Sequence, residues 1–167
     1  MNCRIKRRID CMIHSNLLEL VGRTPLVRMR RINPAPGVGL LAKIEAKSIG
    51  GSIKDRVALA MIEAAEASGE LTPDKTVIEA TSGNTGIGLA MVCAVKGYPL
   101  LLLMPESASE ERKRVMLAYG AKIRLTPGHL GTDGAIEEAY RLAREESERY
   151  VLMDQFNNPA SIAAHYH

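Results

Sequence analysis

The sequence predicts an α/β fold: a parallel sheet with helices on both faces. Two observations predict it. From residue 52 onward, short apolar or β-branched runs alternate with stretches of helical period, joined by connections a few residues long; that alternation builds parallel strands linked by crossover helices. The strand-like runs, "KTVIEA" and "LLLLM" above all, are apolar almost without a break, as strands covered on both sides are.

Taken in order, "RTPLVRMRRINPAPGVGLLAKIEA" reads as two short strands flanking a Pro/Gly-rich turn. In "GGSIKDRVALAMIEAAEASGEL", Ser52 and Asp55 form an S-x-x-D capping pattern ahead of an apolar run and Gly69 stops it, so a helix is expected over about 53–68. "KTVIEA" is a strand. The helix after it runs to about Lys96, with Gly97 at its cap and Pro99 beyond. "LLLLM" is a buried strand, and "SEERKRVMLAYG" a helix between Ser109 and Gly120. "AKIRL" is a strand. "TDGAIEEAYRLAREES" is a helix with Ile136, Ala139, Tyr140 and Ala143 on one face and a Glu137–Arg141 pair on the other. "YVLM" makes the fourth strand of the parallel sheet, and "NPASIAAHYH" starts a further helix.

Composition excludes several classes. At 167 residues the chain is one domain's worth, long enough to bury a core. A net charge of +3, much of it in the solvated run "MNCRIKRRID", makes no nucleic-acid face. No apolar run is long enough to span a membrane, and no secretory leader is evident. Three cysteines, Cys3, Cys11 and Cys93, argue against a disulfide framework and for a reducing compartment. Cys3, Cys11 and His14 match no standard metal-site spacing, so no metal is expected.

Two stretches carry chemistry. "EATSGNTGIGLAM", residues 79–91, sets Thr81, Ser82, Asn84 and Thr85 around Gly83 and Gly86, just before an apolar helix. A helix N-terminus offers free N–H groups and a dipole that favours an anion. The hydroxyls and the amide add donors. This suits a small carboxylate or a phosphate, although a tight strand-to-helix turn capped by Asn or Thr fits the same letters. The glycines run G-x-x-G-x-G, the reverse of the dinucleotide fingerprint, and no lysine follows as in a P-loop, which disfavours a nucleotide-binding module. The second stretch places Lys54 in the first turn of a helix, after Gly50, Gly51 and Ser52. A cation is disfavoured there, and a Schiff-base lysine reacts as the neutral amine. An exposed lysine balanced by Asp55 is the plain alternative.

Together, "GRTPLVRM", "GGSIKDR", "TSGNTG" and "DQFNNPAS", in that order over about residues 17–167, resemble the cysteine synthase and cystathionine β-synthase family of pyridoxal-phosphate enzymes. The segment "MPESASEERKRVMLAYGAKIRLTP" is similar too. The resemblance implies that Lys54 carries pyridoxal phosphate and acts as the base at the substrate Cα. It implies that Asn84 contacts the cofactor's ring oxygen, and that Thr81, Ser82, Thr85 and Gln155 bind the substrate carboxylate. The family usually has Asn at the position of Ser48 and often Asn or Asp at that of Arg23.

The family's phosphate cup, and the group facing the pyridine nitrogen, are expected in sequence beyond "AHYH". On this reading residues 1–16 are an extension, 17–46 a hairpin belonging to the larger lobe, 47–157 the smaller α/β lobe, and 158–167 the start of a helix. The implied function is cytoplasmic cysteine synthesis from O-acetylserine and sulfide by β-replacement, in a homodimer when full-length. Cystathionine formation from serine and homocysteine is the nearest alternative. A lobe without catalysis, acting as a binding module, is the alternative from another class.

Overall fold

The computed structural model describes residues 13–33, 35 and 37–166. The basic N-terminal run, with Cys3 and Cys11, lies outside them. His14 bonds Glu19 Oε2 at 2.9 Å, and no cluster of three or more His, Cys, Asp or Glu side chains suited to a metal ion occurs among the described residues. Among the described residues, no helix is long and apolar enough to cross a membrane.

Two short strands, β1 (Leu26–Arg28) and β2 (Leu41–Lys43), pair antiparallel across the Pro/Gly-rich turn, with Val27 opposite Ala42. Then follow helix α1 (Lys54–Ser68), β3 (Thr76–Ala80), α2 (Asn84–Lys96), β4 (Leu100–Pro105), α3 (Glu110–Ala118), β5 (Lys122–Thr126), α4 (Gly131–Glu145), β6 (Tyr150–Leu152) and α5 (Pro159–Ala163). Left-handed glycines close α1 and α2, Gly69 at φ 77° and Gly97 at φ 84°, where a side chain would be strained.

The expected parallel sheet is present, in the order β5-β4-β3-β6. Ile78 pairs with Leu101 of β4 on one side and Leu152 of β6 on the other. The alternation of the pleat divides the core. Val77, Leu100, Leu102, Met104 and Val151 pack toward α1 and α2, joined by Met116 of α3. Ile78, Ala80, Leu101 and Leu103 pack against Ala135, Ala139 and Leu142 of α4. Buried apolar area of this extent is the main stabilisation available to a single domain.

The face of α4 differs from the expected one. Gly134, Ala135, Ala139 and Leu142 are buried, Ile136 and Ala143 are half-buried, and Tyr140 is exposed. The small residues let the helix lie close on the sheet, and Tyr140 turns its hydroxyl to Asp154 at 2.8 Å. Arg141 pairs with Glu138, and with Glu145 one turn on, rather than with Glu137. Its planar fork reaches both of those carboxylates at once.

The hairpin stays outside the main core, with Leu26 62% and Leu41 51% exposed. It is tied to α1 by charge rather than by apolar packing. Arg56 donates to Glu45 at 2.8 Å and to the Gly22 carbonyl at 2.5 Å. The Arg56 hydrogen bonds hold the Glu45 carboxyl down to about 2.

Candidate functional site

The chain leaves β3 toward β4 on one side and returns after β5 to place β6 on the other side of β3. Ligands bind at such a switch point, beyond the carboxyl ends of the strands. Because β3 and β6 are parallel neighbours in register, Ile78 opposite Leu152, their C-terminal loops emerge side by side. One is the "TSGNT" loop and the other "DQFNN".

The geometry assembles the predicted residues. Thr81 Oγ1 accepts from Gly83 N at 3.2 Å, which curls the loop into α2. Asn84 is the first residue of α2, and its side chain is exposed. Thr85 is buried and donates its hydroxyl to Gln155 Oε1 at 2.5 Å, joining the two loops. Ser82 is half-buried, and its carbonyl accepts from Arg112 of α3 at 3.3 Å. A Cβ on Gly83 would meet nothing within 4 Å, so space is open beside the loop.

Lys54 begins α1, where its backbone N–H donates to Ser52 Oγ at 3.1 Å. The capping pattern is half of what the sequence suggests. The Asp55 carboxylate does not return to Ser52 but accepts from Gly50 N at 2.7 Å, and Asp55 is fully buried. A Cβ on Gly50 would lie 2.4 Å from Asp55 Oδ1, so that glycine makes room for the inward turn. Asp55 therefore does not neutralise Lys54, whose ammonium has no hydrogen-bond or ion-pair partner among the described residues. Gly88 places this turn against α2: a Cβ there would sit 3.0 Å from the Lys54 carbonyl oxygen. Ser48, a departure from the family pattern, is buried six residues before Lys54 with its hydroxyl unpartnered.

Three residues at the site escaped the sequence reading. Glu79, at the end of β3, is buried beneath the loop, with Oε1 3.5 Å from Gln155 Nε2 and Oε2 unpartnered. Burial, reinforced by the Asp154 carboxylate, pushes its carboxyl up to about 7. A carboxylate inside an otherwise apolar strand is the signal that could have found it. Asp154, the one non-glycine residue with positive φ among those described, at 48°, accepts from Tyr140 and Asn157. Phe156 stands 73% exposed beside Gln155.

Two clefts lie elsewhere on the sheet. About 420 Å³ opens between β5 and α4, at Leu125, Thr126, Leu130 and Glu137, and about 230 Å³ at the opposite end of the sheet, at Leu100, Lys122 and Tyr150. None of the predicted site residues lines either cleft.

The donor set fits one part of pyridoxal phosphate: an unpaired primary amine for the aldehyde carbon, an exposed amide for a ring oxygen, and hydroxyls with helix N–H groups for a substrate carboxylate. The family model for pyridoxal-phosphate dependent enzymes matches residues 17–167. A cysteine synthase from Flavobacterium sp. strain K3-15 is 52% identical over 154 residues, covering 92% of this chain and 50% of that protein. The crystal structure of cysteine synthase from Entamoeba histolytica superimposes with a TM-score of 0.87 at 40% identity, over 92% of this chain and 47% of that one. That of an O-ureido-L-serine synthase gives 0.83 at 42% identity, over 92% and 48%. The chain spans about half the length of these relatives.

Proposed function

The chain belongs to the pyridoxal-phosphate dependent enzyme family, and on that premise we propose that it is the lysine-bearing and carboxylate-binding part of a cysteine synthase, which makes cysteine from O-acetylserine and sulfide. The observation that carries the proposal is the meeting of Thr85 with Gln155 across the two parallel loops. It supports taking the two separate motifs as one carboxylate site, near a lysine whose ammonium has no hydrogen-bond or ion-pair partner among the described residues.

In this reading the protein binds, orients and moves one proton. Thr81, Ser82 and Thr85, with the N–H groups of α2, hold the substrate carboxylate, and the Gln155 amide closes on it. Asn84 holds the cofactor's ring oxygen. Lys54 would hold the cofactor at its aldehyde carbon, and its amine, when free, is the base for the proton on the substrate Cα. When bound, pyridoxal phosphate supplies the electron sink for the pair left on Cα. The net change is replacement of acetate by hydrosulfide at Cβ, with the Lys54 ammonium returning its proton to Cα. Positioning of the carboxylate aligns the Cα–H bond with the lysine, the kind of orientation that accounts for much of an enzyme's rate.

The same reading divides the chain into a hairpin of the larger lobe, residues 17–46, and an α/β lobe, residues 47–157, preceded by an extension (1–16) and followed by a helix start (158–167). It carries a cytoplasmic location and a homodimer for the full-length protein.

The experiment is to add pyridoxal phosphate, reduce with borohydride and map the labelled peptide, then assay cysteine formation from O-acetylserine and sulfide against cystathionine formation from serine and homocysteine. A label on Lys54 together with cysteine as product supports the proposal. A label elsewhere, or cystathionine as the product, overturns it.

A further inference from the structure

Glu79 has no part in the chemistry above, yet the fold keeps it beneath the carboxylate loop. It is 3% exposed at the end of an apolar strand, and its Oε2 is buried without a partner. The two ends of the Gln155 amide meet different groups. Thr85 donates to Oε1 at 2.5 Å, which leaves Nε2 directed at Glu79 Oε1, 3.5 Å away and at the outer limit of a hydrogen bond. The amide is therefore held firmly at its oxygen and loosely at its nitrogen.

We propose that Glu79 is a positioning residue that controls the Gln155 amide through its own protonation: as the neutral acid it leaves Nε2 free to turn to a substrate carboxylate, and as the carboxylate it holds Nε2 back. This deepens the function proposed above, because Gln155 is the closing amide of that carboxylate site.

Two physical reasons support it. A hydrogen bond to an ionised acceptor is shorter and roughly twice as strong as one to a neutral acceptor, so ionised Glu79 competes with the substrate for the same N–H group. An ionised Glu79 also sets a second negative charge behind the bound carboxylate, in a setting that screens it poorly.

The surroundings of Glu79 determine when it ionises. Asp154 faces it from the loop after β6, and Tyr140 of α4 reaches Asp154 with its hydroxyl at 2.8 Å. Strand β4 and helix α5 contain no ionisable side chain. Helix α2 carries Cys93, whose buried thiol is pushed up to about 12, and Lys96, in its last turn and paired with Glu66. Helix α1 brings Lys54 and Asp55 to this end of the sheet, Asp55 being engaged with Gly50. Burial and the Asp154 carboxylate push the Glu79 carboxyl up, the Gln155 and Asp154 backbone N–H groups and the Gln155 amide oppose them, and the result is a carboxyl raised to about 7.

The test follows two side chains by NMR in the 167-residue chain: the Glu79 carboxyl carbon and the Gln155 side-chain amide, over a pH range centred on neutrality. Both signals are expected to move with one shared midpoint. In Glu79→Gln the amide should stop moving, and Asp154→Asn should shift the midpoint to lower pH. Should Glu79→Gln fail to fold, the wild-type titration and Asp154→Asn decide. A Gln155 amide that stays still while Glu79 titrates, or that still moves in Glu79→Gln, overturns the proposal.

In turnover, KM for the amino-acid substrate should rise roughly fivefold through that midpoint. The effect should fall on KM rather than kcat, and the rise should be lost in Glu79→Gln. A pH effect confined to kcat also overturns the proposal. A linked NMR titration without any cysteine synthesis by the full-length protein supports the Glu79–Gln155 coupling and overturns the proposed function instead.

Discussion

Thr85, in the first turn of α2, donates its hydroxyl to Gln155, in the loop after β6, at 2.5 Å across 70 residues of sequence. The pair depends on the parallel register of β3 and β6, which brings the two loops out together. Thr85→Val keeps the shape and removes the donor. Gln155 Oε1 then loses its partner in a half-buried site, which costs about 1–3 kcal/mol. KM for the amino-acid substrate should rise roughly tenfold or more, with the rest of the fold intact by circular dichroism. An unchanged KM would mean that Gln155 takes no part in holding the carboxylate.

Much of this architecture was legible in the sequence because each element obeys a local rule. The apolar runs became β3 and β4, and Gly69 and Gly97 end their helices as left-handed caps. The partners were not legible. S-x-x-D reads as a capping box, but Asp55 turns inward because Gly50 leaves a space that any side chain would fill. Arg141 has three acidic neighbours in sequence, and helix geometry alone does not say which two its fork takes. Gln155 could be placed in the site only through resemblance. Glu79 showed only as an acidic residue within a strand, and Asp154 was invisible because its importance comes from its contacts with Tyr140 and Glu79.

Gly88→Ala tests the close approach of the two functional helices. Its Cβ would stand 3.0 Å from the Lys54 carbonyl oxygen and 3.1 Å from Ala58 Cβ, so the first turn of α1 must move. Overpacking of this kind costs about 1–3 kcal/mol. The expected outcome is a lower unfolding midpoint together with slower labelling of Lys54 by pyridoxal phosphate and borohydride. Normal labelling in a destabilised variant would separate packing from function.

The Arg56–Glu45 pair should hold the hairpin to α1. The Glu45 carboxyl is lowered in the folded state from 4.5 to about 2. Its stabilisation is therefore complete above about pH 4.5 and is lost as pH falls toward 2. The pair is partly solvated, so its worth is about 1–2 kcal/mol. Arg56→Ala should speed amide exchange at Val27 and Ala42 while leaving β3 and β4 protected. Uniform loss of protection would instead make the pair part of the main core.

Glu79 should make stability fall as pH rises. Its folded carboxyl lies at about 7, above the ordinary 4.5, so its protonated form is favoured by the fold. The stabilisation is fully present below about 4.5 and is lost as pH rises through about 7. The amplitude is about 3 kcal/mol in order of magnitude. Glu79→Gln should be about as stable as the parent at pH 5 and more stable at pH 8. Denaturant unfolding at the two pH values measures it, and equal differences at both would count against the raised carboxyl.

Lys54→Ala addresses the chemistry directly. Alanine is a strong helix former, and the Ser52 contact to residue 54 uses the backbone N–H, so α1 should keep its start. Asp55 stays engaged with Gly50, so no buried charge is released. What disappears is the amine that the site leaves unpaired beside α2. Loss of a general base alone costs about 10²–10⁴-fold in rate, and loss of the covalent attachment adds to it. In the full-length protein the variant should therefore fold with an unaltered circular dichroism spectrum, give no borohydride-stable pyridoxyl label on this peptide, and lose cysteine synthesis. A pyridoxyl label on another lysine of the parent chain, or full turnover by Lys54→Ala, would move the proton-transfer role to a different side chain.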